Sequence, residues 1–332
     1  LATGNWREIG RFPNLELMFW PSFVDQKGEL FVQGNTGPAG TAELHRFDLA
    51  TGKRSPDLVA NTPGFSGDIT PVFDEASGAL VGLSMLTDTH ATAWLVPAMQ
   101  AVQAKVDAAL PGRANELQCR PCDQPKVVLV HSSADRVPGD FLIYRPAEDK
   151  WQRIGSARPR IDPQQMARTE LLRTKARDGH DLPVWITHPV GPASKPRAAV
   201  VLVHGGPWLR GAQWEWDDEA QFLASRGYVV IQPEFRGTTG YGYDHFRAGW
   251  KQWGQAMQDD VSDALKFAAK RANVDLSRVC IAGASYGGYA TLMGLAKDPA
   301  QYRCGVAWVG VSDARLMYIV HWSDIDSEAK NY

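Results

Sequence analysis

The stretch that decides the fold is residues 278–289, which read RVCIAGASYGGY. Residues 279–282 are apolar and have the length of a strand buried on both faces, and strong helix formers occupy residues 289–296. Between these runs, Gly283 and Gly287 flank Ser285 in the pattern Gly-x-Ser-x-Gly. The pattern predicts a sharp strand-to-helix turn that exposes the serine hydroxyl above a sheet edge, where it can attack a carbonyl carbon.

A second motif lies upstream, where the apolar run 198–203 ends in the tetrapeptide His-Gly-Gly-Pro, residues 204–207. It predicts a loop whose backbone N–H groups stabilise the oxyanion of acyl transfer, with each donor contributing about 3 kcal/mol. We expect the two donors to be the N–H groups of Tyr286 and Gly206. His204 is expected to hold the loop by hydrogen bonding rather than to act as general base, because hydrolases of this order place the base histidine after the serine.

A third motif, QPEFRGTTGYG at residues 232–242, lies between these two. With all three in this order, the chain resembles the prolyl oligopeptidase family of serine peptidases, most closely its acylaminoacyl-peptidase and oligopeptidase branch. The resemblance is strong over residues 165–315. It implies an α/β-hydrolase catalytic domain beside a β-propeller, a short peptide as substrate, Ser285 as nucleophile, and Tyr286 and Gly206 as oxyanion donors. No cofactor or metal is expected.

The second half of the chain alternates between strand and helix patterns. A hairpin is predicted around Asp178-Gly179, followed by strands at 199–203 and 228–232 and helices near 217–225 and 260–271. Such alternation predicts a mostly parallel sheet covered by helices on both faces. Asp259 is expected to be the N-cap of the last of these helices.

The first half follows a different pattern, in which paired strands are broken by polar turns. The pairs lie at 23–32, 72–81 and 127–145, a spacing of about 50 residues that is typical of propeller blades. About three blades fit before residue 160, whereas closed propellers usually have four to eight. We therefore predict a partial β-propeller over residues 1–160 and, over residues 161–332, the N-terminal part of an α/β-hydrolase domain that lacks its C-terminal end.

A hydrolase of this order needs an aspartate and then a histidine after the serine. The one histidine downstream of Ser285 is His321, and Asp298 and Asp313 are the carboxylates between them. Asp298 ends the predicted nucleophile helix and Asp313 follows the next strand, whereas the family places its pair at later strand ends. We expect the catalytic Asp and His to lie beyond residue 332, so that the 332-residue chain alone does not react with a fluorophosphonate at an enzymatic rate.

The net charge of −2, with both signs well mixed, gives no electrostatic reason to expect nucleic acid or an anionic membrane as a partner. No apolar run approaches the roughly 18 residues of a membrane span. Whether the protein forms a homo-oligomer is left open.

The four cysteines fall into two groups. Cys280 and Cys304 belong to or adjoin buried strands and are expected to be small apolar fillers. For Cys119 and Cys122, in a C-x-x-C loop, a structural disulfide is favoured over reduced thiols or half of a zinc site. Resemblance to secreted bacterial members of the family favours a periplasmic or secreted protein over a cytoplasmic one.

Two other functions use the same parts. A carboxylesterase needs the same nucleophile and oxyanion donors, and a non-catalytic propeller-hydrolase scaffold that binds peptides comes from a different functional class. A serine peptidase that acts through an acyl-enzyme on Ser285 is the main hypothesis.

Overall fold

The structure, a computed structural model, describes residues 8–12, 19–192 and 195–315. Its first half contains three antiparallel sheets. The first comprises β1 (Trp20–Val24), β2 (Leu30–Gly34), β3 (Glu43–Asp48) and β4 (Lys53–Asn61). The second comprises β5 (Ile69–Phe73), β6 (Leu80–Leu86) and β7 (His90–Trp94). The third comprises β8 (Ala114–Cys119), β9 (Val128–Ala134), β10 (Val137–Arg145) and β11 (Lys150–Ser156).

A helix that the sequence patterns did not predict, α1 (Pro97–Ala109), joins the second sheet to the third. Its Met99, Val102 and Val106 are buried in one apolar core together with residues of both sheets, among them Trp94 and Val128. The helix therefore fills the space between two neighbouring sheets, and its apolar face is stabilised by that packing more than by its own propensity.

The second half contains one six-stranded sheet in the order β12-β13-β15-β14-β16-β17. Its strands are β12 (Arg168–Lys175), β13 (Asp181–His188), β14 (Arg197–Val203), β15 (Val229–Pro233), β16 (Val274–Ala284) and β17 (Cys304–Trp308). The helices are α2 (Asp218–Ser225), α3 (Tyr243–Ala248), α4 (Ala256–Arg271) and α5 (Tyr286–Lys297). The first two strands form the predicted antiparallel hairpin, β13 pairs antiparallel with β15, and the last four strands of the order are parallel.

Alternate residues of the parallel strands face opposite sides of the sheet, as pleating requires. Val201 and Ile281 pack in the core that contains α4 and α5, whereas Val200, Leu202 and Ala282 pack against α2. This is the fold of an α/β-hydrolase, and the three sheets before it are part of a β-propeller. The boundary between residues 160 and 161 stays a prediction.

The start of α4 differs from expectation. The helix begins at Ala256, with Gln255 in the N-cap position, so Asp259 lies in its first turn and the predicted N-cap is wrong. The Asp259 carboxylate instead accepts a hydrogen bond from Lys297 Nζ at 2.8 Å and forms an ion pair with Arg177. Carboxylates are favoured anywhere in the first turn because of the helix dipole, so the residue type alone does not identify the cap.

Arg236, which follows β15, anchors the loops beside the sheet. Its guanidinium donates to Asp260 at 2.8 Å through both Nε and one terminal nitrogen, and to Asp178 at 2.7 Å. The β12–β13 turn, α4 and the segment after β15 are thus joined by one charged cluster, in which bidentate geometry adds directional strength.

The two halves contact each other through the glycine-rich segment that follows Arg236. Ser66 N–H donates to Gly240 O at 2.9 Å, and Gly242 N–H donates to Ser66 Oγ at 2.9 Å. A third link is the hydrogen bond from Trp214 N–H to Asp88 O at 2.7 Å. Among the described residues, no helix is long and apolar enough to cross a membrane.

All four cysteines are paired. Cys119 and Cys122 form a disulfide with their Cα atoms 5.0 Å apart, as favoured by the sequence. Cys280 and Cys304 form a second one, which was not predicted. They occupy register positions on the adjacent strands β16 and β17, with Cα atoms 4.7 Å apart, a separation that a disulfide can span.

We predict that protein isolated without reductant shows no thiol that iodoacetamide can alkylate. Both cysteine pairs have the Cα separation of a disulfide, so intact-mass measurement should show no adduct before reduction and four after it. Two adducts on Cys280 and Cys304 before reduction would contradict the disulfide between these strands and support their expected role as apolar fillers. Two adducts on Cys119 and Cys122 would contradict the loop disulfide.

Candidate active site

Ser285 stands at the turn between β16 and α5. Its backbone has φ 54° and ψ −117°, a conformation that L-residues rarely adopt and that commonly stores strain at functional sites. The residue is exposed, although Gly283 and Tyr286 on either side of it are buried. Its N–H donates to Trp308 O at 3.2 Å, and its carbonyl accepts from Tyr289 N–H at 3.0 Å. The turn is therefore held by backbone hydrogen bonds, and among the described residues no hydrogen-bond partner occupies the Ser285 hydroxyl.

Two glycines allow this turn. A Cβ on Gly283 would lie 2.5 Å from Val203 O, and a Cβ on Gly287 would overlap the same carbonyl. Any side chain at either position would push β14 and α5 apart. Residues of the Gly-x-Ser-x-Gly pattern thus permit close strand–helix approach, as the sequence predicts.

The register of the sheet brings the second motif to the same edge. Val203 of β14 is paired with Gly283 of β16, so both parallel strands end together. The loop that follows β14 then passes beside the serine: a Cβ on Gly205 would lie 3.5 Å from Ser285 Cβ. Gly206 has φ +109° and precedes a cis peptide bond to Pro207. In the described part of the chain, no hydrogen bond occupies its N–H.

His204 fixes the direction of that N–H. Its Nδ1 lies 2.7 Å from Gly205 O, and because a carbonyl only accepts, Nδ1 carries the proton. Nε2 lies 2.9 Å from Thr238 Oγ1, and the ring stacks on Phe235 with centroids 4.4 Å apart. The peptide between residues 205 and 206 is planar and trans, so its N–H points away from a carbonyl held by the imidazole. His204 is therefore placed as a support of the loop.

The Tyr286 N–H is the first of α5 and has no acceptor within the helix. Its side chain is buried between Phe235 and Trp253, with ring centroids 5.1 and 4.7 Å away. The same Phe235 ring contacts His204, so the supports of both predicted oxyanion donors pack on one aromatic residue. The roles of Ser285, Tyr286 and Gly206 stay predictions.

Glu234 was not identified from the sequence. Its carboxylate is buried and accepts hydrogen bonds from Ala212 N–H at 2.6 Å and Gly211 N–H at 3.1 Å, and its Oε2 lies 3.7 Å from His204 Nε2. Burial raises the pKa of Glu234 to about 7, although the two amides and the charge of Arg210 act to lower it. The sequence signal for Glu234 was its position directly after an apolar strand. Carboxylates at such positions are also common in ordinary loops.

Burial has the opposite effect on the neighbouring imidazole. It lowers the pKa of His204 to about 4, so the ring is neutral at physiological pH. A cavity of about 280 Å³ adjoins the pair and is bounded in part by Gly205 and Ala284. The cavity lies at the carboxyl ends of the strands, where open α/β sheets bind ligands.

The described residues do not complete a triad. None of their histidines is hydrogen-bonded to the Ser285 hydroxyl, and His321 lies outside the described residues. Asp298 accepts from Ser262 Oγ at 2.7 Å, and Asp313 pairs with the exposed Arg315. That the catalytic Asp and His lie beyond residue 332 stays a prediction. No metal-binding cluster of His, Cys, Asp or Glu occurs in the part of the chain that the structure describes.

The sheet, the strained serine and the adjoining loop define an α/β-hydrolase with a nucleophile elbow. Residues 214–331 match the model of the prolyl oligopeptidase family. The chain is similar to that family over this stretch, which contains two of the three motifs, residues 232–242 and the turn around Ser285.

Two curated proteins are similar to the chain in sequence. The chain is 31% identical over 326 residues to dipeptidyl aminopeptidase BIII of Pseudoxanthomonas mexicana, covering 95% of this chain and 46% of that protein. It is 32% identical over 212 residues to dipeptidyl peptidase family member 6 of Caenorhabditis elegans, covering 58% of this chain and 28% of that protein. The chain thus spans less than half the length of these curated relatives.

Two solved structures share the fold. A puromycin hydrolase superposes with a TM-score of 0.67 at 21% identity, covering 95% of this chain and 48% of that one. The acylaminoacyl peptidase of Pyrococcus horikoshii superposes with a TM-score of 0.60 at 15% identity, covering 92% of this chain and 46% of that one. At such identities, the likeness concerns the fold.

The His204–Glu234 pair predicts how two variants change the pH dependence of stability. Between pH 4.5 and 6.5 the folded pair carries one proton, on Glu234, and the unfolded chain also carries one, on the histidine. Because both states bind the same number of protons, the pair adds no pH dependence to the free energy of unfolding in this range. Glu234→Gln leaves His204, whose pKa is lowered by folding, so stability should fall as pH drops from 6.5 towards 4. His204→Gln leaves Glu234, whose raised pKa should make stability fall as pH rises from 4.5 through 7.

Urea unfolding of both variants and the parent protein across this pH range measures the effect. The two difference curves should have slopes of opposite sign. Parallel curves for the parent and both variants would contradict the buried pair.

We also predict that Gly206→Val lowers kcat by about 100-fold with a much smaller change in KM. The residue has φ +109°, and a Cβ would lie 2.9 Å from Trp208 N, so a branched side chain must displace the predicted donor. Peptide-anilide kinetics of the naturally encoded protein provide the measurement. Gly227→Val is the matched control, because Gly227 has φ +92° with no atom within 4 Å of a new Cβ. If Gly206→Val keeps normal kcat, the donor lies elsewhere in the loop.

Proposed function

We propose that the protein is a serine peptidase that hydrolyses short peptides through an acyl-enzyme on Ser285. The observation that carries the proposal is the exposed, strained Ser285 beside a loop whose Gly206 N–H is directed by His204 and has no acceptor among the described residues. The match of residues 214–331 to the model of the prolyl oligopeptidase family supports peptides as the substrate class.

In the proposed reaction, Ser285 Oγ attacks the peptide carbonyl carbon and gives its proton to a general base. The carbonyl oxygen becomes an oxyanion that accepts hydrogen bonds from the N–H groups of Tyr286 and Gly206. The C–N bond breaks as the proton passes to the leaving amine, and water then hydrolyses the acyl-enzyme. The base histidine and its aspartate are expected outside the described residues.

A narrower activity, release of dipeptides from free amino termini, is favoured by the names of the relatives in Pseudoxanthomonas mexicana and Caenorhabditis elegans. We propose it as the specificity to test first. Dipeptidyl anilides with free and acetylated amino termini separate it from acylaminoacyl release. Faster turnover of the acetylated substrate would reject it.

Two further proposals concern the setting of the protein. An oxidising compartment, periplasmic or extracellular, suits a chain in which all four cysteines are paired. Homo-oligomerisation is a second proposal, which sedimentation of the naturally encoded protein can test.

A carboxylesterase remains the alternative activity, and turnover of a p-nitrophenyl ester without turnover of any peptide anilide would favour it.

We predict that Ser285→Ala abolishes peptide turnover and fluorophosphonate labelling in the naturally encoded protein while the fold is retained. Loss of such a nucleophile typically lowers kcat about a millionfold. Ser277→Ala is the matched control, because Ser277 lies on the same strand but is exposed and bonded to Asp275. A purified Ser285→Ala protein with a tenth of the parent activity would reject the assignment. Absence of all activity in the parent would favour a non-catalytic, peptide-binding scaffold.

A further inference from the structure

We propose that Glu234 is a positioning residue for acyl transfer, whose buried carboxylate closes loop 204–212 and thereby holds the Gly206 N–H in one direction. This inference rests on the proposed peptidase function. Glu234 does not contact Ser285, so its effect would pass through the loop.

Both ends of the loop meet at this carboxylate. At the start of the loop, His204 Nε2 lies 3.7 Å from Oε2, and at its end Gly211 N–H and Ala212 N–H donate to separate oxygens at 3.1 and 2.6 Å. A Cβ on Gly211 would overlap the His204 ring and lie 3.0 Å from Glu234 Oε2. The contact is therefore close-packed, and neither end of the loop can shift without disturbing the other.

The carboxylate itself is held by the sheet. Glu234 directly follows β15, and its backbone N–H donates to Pro183 O of β13 at 3.0 Å. Its exposed fraction is 0%, so water does not compete for the two amides. A rigid strand end thus provides the fixed point against which the loop is aligned.

The effect on the reaction follows from the peptide between residues 205 and 206. His204 holds the carbonyl of this peptide, and the N–H on its other side is the predicted oxyanion donor. If the loop end near residues 211–212 is released, the imidazole loses its packing neighbour and the peptide can rotate. Misplacing a catalytic group by about 1 Å costs on the order of 100-fold in rate.

Glu234→Gln tests the inference in the naturally encoded protein. The amide keeps the size of the side chain, but its NH₂ group faces a backbone N–H where an oxygen accepted before, so two donors meet. Glu170→Gln is the matched control: it makes the same change in β12, where Glu170 bonds to His188. The measurements are kcat and KM for a peptide anilide and the inhibition constant of the corresponding peptide aldehyde, whose adduct with a serine places an oxyanion between the donors.

For Glu234→Gln we expect kcat to fall by about 10- to 100-fold, KM to stay within about threefold, and the aldehyde inhibition constant to rise by the same factor as kcat falls. The Glu170→Gln control should keep kcat and the aldehyde inhibition constant within about twofold of the parent values. A merely structural carboxylate would lower the melting temperature and leave kcat per folded active site unchanged, and that result overturns the proposal.

If Glu234→Gln does not fold, Glu234→Asp replaces it. The shorter side chain keeps the charge but cannot reach both amides from the same strand position, so a smaller fall in kcat at constant KM is expected. Normal kcat in Glu234→Asp overturns the proposal. Failure of the peptidase function itself is distinguishable, because the parent protein would then show no turnover that Ser285→Ala abolishes.

Discussion

The site depends on the parallel pairing of β14 with β16. With Val203 opposite Gly283, the two strands end at the same edge, and the loop after one strand meets the turn after the other. Backbone hydrogen bonds set this register, and the missing side chain of Gly283 allows it, since a Cβ there would lie 2.5 Å from Val203 O. A shift of one strand by one residue would exchange its side chains that face α2 with those that face α4 and α5, so the core and the site are fixed together.

Buried polar groups then hold the loops that leave this edge. Glu234 and Arg236 are separated by one residue after β15, and they bind in different directions. The carboxylate binds the end of loop 204–212, and the guanidinium binds Asp260 of α4 and Asp178 of the hairpin turn. Because burying a polar or charged group without partners is costly, each group favours the loop position in which its partners are in place. Polar burial in this region therefore specifies loop geometry.

The segment after Arg236 connects this arrangement to the first half of the chain. Thr238 contacts the imidazole of His204, and two residues later Gly240 O accepts from Ser66 N–H. One short segment thus contacts both a support of the predicted oxyanion donor and a loop of the first three sheets. The third sequence motif is explained by these two contacts, because its glycines allow the backbone turns between them.

The sequence by itself determined the local elements: the turn around Ser285, the hairpin around Asp178-Gly179 and the alternation of strands and helices. These depend on spacings of a few residues, on glycine and on apolar periodicity, which are visible in one sequence. Only the tertiary structure decided the partners of Glu234, the pairing of Cys280 with Cys304 and the packing of α1 between two sheets. Each of these depends on strand order and register, which bring together residues far apart in the chain and leave no pattern at short range.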